Sequence, residues 1–172
     1  SQIYDEAREK DGIHRIKPLT DNVYGIEQIK MLGIPESEYT ITQSGILALM
    51  GIRKNDDIDI IISSRVRNTL FNGYNQFIKL PGNIEIFEPN RRKFLDVDGI
   101  NDDDLIANHS LIVNGIRFLH PKFYFSRKRK DRDKDKLDWQ GISQFFRFER
   151  FNAYPFNKIN LEQWGYKWVE TR

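Results

Sequence analysis

The residues best suited to do chemistry are the acids of Asp57-Ile58-Asp59. The run Asp57 to Ile62 is β-branched and alternates acid with isoleucine at its start, which predicts a strand. Side chains at i and i+2 of a strand share a face, roughly 6–7 Å apart along the chain. Two carboxylates on one face, with Ile58 and Ile60 anchoring the other, can share divalent cations. Hard cations such as Mg²⁺ or Mn²⁺ prefer carboxylate oxygen and keep phosphates as further ligands. A third carboxylate completes a clamp for in-line phosphoryl transfer. Glu85, between Ile84 and Ile86 on the next expected strand, is the choice for it, with Glu88 in reserve. The competing reading makes Asp56, Asp57 and Asp59 a solvated edge or turn. Context favours chemistry: Ser44-Gly45 stands at an expected strand-to-helix junction, 12 residues before Asp57. Small residues there let backbone N–H groups approach a phosphate.

The elements that must position these residues follow from periodicity and punctuation. Thr20, Asp21 and Asn22 are good N-cap types, and Val23, Ile26, Ile29 and Leu32 recur at helical spacing until Gly33 and Pro35. Tyr39 to Thr42 alternates like a short strand, and Ile46 to Met50 is a compact apolar helix ended by Gly51. After the Asp57–Ile62 strand, Val66 to Leu80 has a loose helical pattern closed by Pro81-Gly82. Asn83 to Phe87 is the next strand, and a short helix at about 101–108 follows an acidic loop. Leu111 to Leu119 reads as a strand broken at Asn114-Gly115, ended by His120-Pro121. From Lys122 to about Phe148 the pattern is helical and highly charged. This order predicts an α+β (α/β) domain built on one mixed sheet flanked by helices. An N-terminal arm is expected at 1–19, the domain at 20–148, and an aromatic C-terminal extension packed on it at 149–172.

With these motifs in order, the chain resembles the nucleotidyltransferase superfold, the DNA polymerase β-like group. There a strand leads to a G-[GS] turn, a short helix, and a D-x-[DE] strand. Ile41 to Arg53 resembles the first half and Asn55 to Ile62 the second, with Ser44 in the place of the first Gly. The minimal and abortive-infection-type nucleotidyltransferases are the nearest in pattern. The phosphocholine-transferase-like branch is similar in its Asp-Asp-Ile-Asp run and in a later acid set as in Ile84 to Pro89. Downstream, Arg132-Asp133-Lys134-Asp135-Lys136-Leu137-Asp138 matches an R-x-K-D-x-x-D signature of many such enzymes. On a helix, Asp135 and Asp138 share a face. The resemblance covers roughly residues 25–140.

The resemblance implies a Mg²⁺-dependent transfer of a nucleotidyl group from a nucleoside triphosphate to a hydroxyl acceptor: a nucleic-acid end, a protein or a small molecule. Asp57, Asp59 and Glu85 would be the metal-holding, catalytic acids. Ser44, Gly45, Arg53, Arg132 and Lys134 would meet the nucleotide. Two alternatives stay open: a phosphocholine-type transferase with a cytidine-diphosphate-linked donor, and a degenerate fold member. The degenerate member would serve as a nucleic-acid-binding or regulatory module in a toxin–antitoxin or phage-defence setting.

Composition sets the outer bounds. A chain of 172 residues with 39% hydrophobic and 13% aromatic content can bury a real core, which excludes wholesale disorder. No cysteine means no disulfide framework, thiolate zinc site or thiol catalysis. No apolar run reaches membrane-spanning length, the N-terminus is polar, and a cytoplasmic setting is the default expectation. With 27 basic against 25 acidic residues the whole surface is no polyanion trap. The run Arg127-Lys128-Arg129-Lys130 can grip a nucleic-acid backbone, but interleaved Asp131, Asp133 and Asp135 favour a solvated helix. His14, His109 and His120 share no ligand spacing. Phe145, Phe146, Phe148, Tyr154, Trp164, Tyr166 and Trp168 suit core packing better than base stacking.

Overall fold

A computed structural model describes residues 20–50, 52–90, 99–120, 131–138, 140 and 167–168. Within them, four helices are α1 (Ile26–Met31), α2 (Ser44–Leu49), α3 (Ser64–Phe71) and α4 (Asp102–Asn108), and residues 133–138 are also helical. The strands are β1 (Tyr39–Thr42), β2 (Ile58–Ile62), β3 (Ile78–Leu80), β4 (Ile84–Ile86), β5 (Ser110–Val113), β6 (Ile116–Leu119) and β7 (Lys167–Trp168). They form one mixed sheet in the order β3-β4-β2-β1-β6-β5-β7. β2 runs antiparallel to β1 and parallel to β4, and β1 runs parallel to β6. The expected mixed α+β architecture is therefore present.

The centre of the sheet is its most deeply buried part. Every residue of β1 and β2 is buried. Register puts Ile41, Ile58, Ile60, Ile84 and Ile86 on one face, which is the apolar core. Helices α1 and α2 cover that face, with Gly25 lying against Ile58 and Gly45 against Ile41. The other face carries Thr40, Thr42, Asp59, Glu85 and Lys79. Its Thr40 end is closed by α4. Thr40 and Ser110 pair through their hydroxyls, Ser110 Oγ donates to the Leu105 carbonyl, and Arg117 Nη1 donates to the Ile106 carbonyl. Its Thr42 end carries the acids.

Several boundaries differ from expectation. Thr20–Asn22 is a turn of 3₁₀ helix rather than a cap, and α1 starts after Gly25, which has φ 99° and gives no side-chain cap. The Val66–Leu80 stretch is not one helix. It ends at Asn72, in the left-handed region, and Ile78–Leu80 becomes β3. Pairing with β4 supplies backbone partners that a short, weakly amphipathic helix extension would lack. The break at Asn114-Gly115 is a hairpin turn, both residues having positive φ as a two-residue type I′ turn requires. In the tail, Lys167–Trp168 extends the sheet as β7 beside β5. His14, the run 127–130, the 1–19 arm and the other tail aromatics lie outside the described residues. Among the described residues no helix is long and apolar enough to cross a membrane.

A methyl group at Gly45 would come within 2.5 Å of Ile41 Cγ2, whose residue has no exposed surface. Gly45→Ala is therefore expected to lower the unfolding free energy by about 1–3 kcal/mol. Urea denaturation followed by circular dichroism reads this, and an unchanged midpoint would mean that α2 does not sit so close to β1.

Candidate metal centre

Strand pairing builds the site. In β2, Ile58, Ile60 and Ile62 share the core face, so Asp59 and Ile61 face the opposite side. Its direct partner on β4 is Glu85 and on β1 is Thr42, and Glu85 is in turn opposite Lys79 on β3. A single row across the sheet thus reads Thr42, Asp59, Glu85, Lys79. Asp57, expected on the strand, stands just before it. Carboxylate oxygens of Asp57, Asp59 and Glu85 lie within 4.8 Å of one another. Glu88 lies beyond β4 and outside this cluster.

The loop carrying Asp57 is held by residues that spacing did not single out. Asn55, only 4% exposed, accepts from the Tyr24 amide (2.8 Å) and donates to the carbonyls of Tyr24 (3.0 Å) and Asp57 (2.8 Å). Tyr24 donates its hydroxyl to the Gly82 carbonyl, Asn83 donates its carboxamide to the Asp56 carbonyl, and the Ile58 amide donates to the Asn83 carbonyl. These bonds tie the approach to β2 to the approach to β4, and so fix Asp57 relative to Glu85. An Asn two residues before the first acid was the available signal, but an exposed loop Asn looks the same in sequence.

The electrostatics record the crowding. Burial is the first cause that raises Asp59, followed by its hydrogen bond with Glu85 and the charges of Asp57 and Glu85. Together they push its carboxyl up to about 9 against an opposing pull from Lys134. Asp57 is also raised, by burial and then by Glu85, while Lys134 and the nearby Ser44 hydroxyl hold it down. Ser44 Oγ does this without completing a well-formed hydrogen bond, and Asp59 Oδ1 is likewise buried with no partner. Three crowded carboxylates, one with a buried unpartnered oxygen, are a donor set that a hard divalent cation fits.

The expected nucleotide-binding residues separate into three groups. Ser44 reaches the acids. Gly45 is a packing residue against Ile41. The residue that takes the glycine-type backbone at this turn is instead Gln43, with φ 58° and ψ −132°. A conformation of that kind costs a non-glycine residue about 1–3 kcal/mol. Arg53 is engaged by Asp138 (Nε–Oδ1 2.5 Å, Nη2–Oδ2 3.2 Å) and Arg132 by Asp135 through two bonds of 2.8 Å. Asp135 and Asp138 share a helical face as expected, but both are buried, so at Asp135 the solvated helix read from the interleaved acids gives way to an inward-facing one. Lys134, exposed on the same helix, is the cation whose charge reaches Asp57 and Asp59. A polar cavity of about 320 Å³ lies elsewhere, by the end of β2 at Ile62, lined by Ser64, Arg67 and Asn68 among others.

Comparison of the chain with protein-family models, with curated proteins and with solved structures returned no match.

The Asp59 value lies above that of an unfolded carboxyl, so the native state holds a proton that the unfolded chain releases. Stability from this group is complete below the ordinary value of 3.8 and is lost as pH rises toward about 9. Without divalent cations, the thermal midpoint is expected to contain a component that falls from pH 5 to pH 9. Asp59→Asn should flatten it and raise the midpoint at pH 8 by about 2–4 °C, the shift that 1 kcal/mol produces in a domain of this size. Scanning calorimetry across that range checks it; identical profiles for the two proteins would mean that the acids do not crowd one another.

Proposed function

We propose that the protein is a metal-dependent nucleotidyltransferase, moving a nucleotidyl group from a nucleoside triphosphate to a hydroxyl acceptor. One observation carries the reading: the oxygens of Asp57, Asp59 and Glu85 converge within 4.8 Å, next to the charge of Lys134. The arrangement around them supports it. A short helix joins β1 to the acid-bearing β2, and the third acid comes from the parallel neighbour β4. This is the order of parts that the resemblance to the DNA polymerase β-like group implies.

In this reading Asp57, Asp59 and Glu85 hold Mg²⁺ or Mn²⁺. The cation supplies positive charge to the polyphosphate and lowers the pKa of the attacking hydroxyl. The chain's own residues supply position and charge, which is most of what phosphoryl transfer needs. Lys134 offsets the negative charge of the phosphates, and Ser44 stands beside Asp57 to meet a phosphate oxygen. Arg53 acts at one remove, by pinning the helix that presents Lys134 through Asp138, while Arg132 closes onto Asp135 at the start of that same helix. The acceptor hydroxyl gives its proton to solvent and its oxygen bonds to the α-phosphorus as the bond to pyrophosphate breaks.

Calorimetric titration of the four nucleoside triphosphates with Mg²⁺ tests this. Wild type should bind at least one of them, and the Asp57→Ala/Asp59→Ala double variant none. Lys134→Ala should weaken binding by about tenfold, or 1.4 kcal/mol. Binding that survives in the double variant would place the site elsewhere. Binding of a cytidine-diphosphate-linked donor in place of any triphosphate would favour the phosphocholine-type reaction at the same acids.

A further inference from the structure

Among the described residues, those other than glycine with positive φ are four asparagines and Gln43. Asparagine tolerates such backbone because its short side chain bonds locally, and Asn72, for example, sits in the ordinary left-handed region. Gln43 has neither excuse. Its ψ of −132° takes it into territory that glycine occupies freely, and its side chain makes no capping bond to α2. The carboxamide Nε2 is buried with no hydrogen-bond partner. A backbone that a single change to glycine would relax thus carries a buried amide donor that the fold leaves unused.

The neighbours of Gln43 indicate what the group is for. Thr42, fully buried, stands directly across from Asp59 on the same face of the sheet, and its Oγ1 also has no partner. Ser44, on the other side, lies by Asp57, its Oγ again unpartnered. Three consecutive residues therefore place two unpartnered side-chain donors, of Thr42 and Gln43, beside a serine hydroxyl that reaches Asp57, at the turn that borders the carboxylates. Donors in that number suit an oxyanion, and the acids would repel an oxyanion unless a cation stood between them. A polyphosphate bound through a divalent metal satisfies both halves.

We infer that Gln43 is a substrate-contacting residue, its carboxamide donating to a polyphosphate oxygen at the acidic trio and holding its backbone strained to do so. This rests on the nucleotidyltransferase reading, and it assigns to a side chain a contact that glycine at this turn could not make.

The test compares wild type, Gln43→Gly and Gln43→Asn by thermal unfolding and by calorimetric titration with Mn²⁺, then with inorganic triphosphate in the presence of Mn²⁺. Gln43→Gly should unfold at a higher temperature yet bind triphosphate about tenfold more weakly, the loss of one good hydrogen bond to a charged group. Its affinity for Mn²⁺ should stay within about twofold, as none of the metal ligands changes. Gln43→Asn keeps a side chain that accepts positive φ but is one methylene shorter, so it should lose triphosphate affinity as well. It also provides the reading if the glycine variant fails to fold. Unchanged or tighter triphosphate binding in both variants would overturn the inference and leave the proposed function standing. Wild type that binds Mn²⁺ but not triphosphate would also overturn it while keeping the metal site. Wild type that binds neither would remove the proposed function, and the role of Gln43 with it.

Discussion

Everything around the candidate site answers to one constraint, the mutual repulsion of three carboxylates held at the end of a buried strand. Two unit charges less than 5 Å apart near a protein surface repel by about 3–4 kcal/mol. The sheet tolerates this because Ile58, Ile60, Ile84 and Ile86 anchor the same two strands from the opposite face, all nearly fully buried. Each such side chain contributes about 1.5–3 kcal/mol by leaving water. The apolar face therefore holds together what the acidic face pushes apart. Burial first, and that repulsion after it, raise the Asp59 carboxyl above its ordinary range.

A second arrangement follows from that one. Acids so crowded need positive charge close by, and the chain delivers it on a helix far away in sequence. Asp135 and Asp138 are buried, and a buried carboxylate is tolerable only when paired. Arg132 pairs with Asp135 within one turn, and Arg53 makes Asp138 a fastener between distant parts of the chain. The Arg53–Asp138 pair joins positions 85 apart and anchors the 133–138 helix to the loop that leads into β2. Lys134 stays exposed, and its charge reaches Asp57 and Asp59. The motif thus divides its charges between buried acids held in ion pairs and an exposed lysine whose charge reaches the acidic trio.

The turn between β1 and α2 is where local preference and tertiary structure conflict. Its sequence, Gln43-Ser44-Gly45, offers a glycine, and a reading from residue type places the tight turn there. Packing assigns that glycine to a contact with Ile41 instead, and the unusual backbone falls on Gln43. Asn55 is a similar case. Its three hydrogen bonds depend on Tyr24 lying beside it, and nothing within a few residues of Asn55 announces that.

The elements that are legible in the sequence are those governed by short-range periodicity. Alternation over Asp57 to Ile62 and Ile84 to Ile86 places acids opposite isoleucines, because a strand's side chains alternate by geometry. The three-residue separation of Asp135 and Asp138 puts them on one helical face for the same kind of reason. Val66 to Leu80 misled because a loose helical pattern is also compatible with a helix, a turn and an edge strand, and only the pairing with β4 decides. Tertiary structure likewise decided that Glu85 rather than Glu88 adjoins Asp59, that the charge of Lys134 rather than of Arg53 or Arg132 reaches the acids, and that Gln43 bears the strain. Spacing along the chain determines the direction in which a side chain points. Which distant side chain it meets is set by register and packing, and those exist only once the whole sheet has formed.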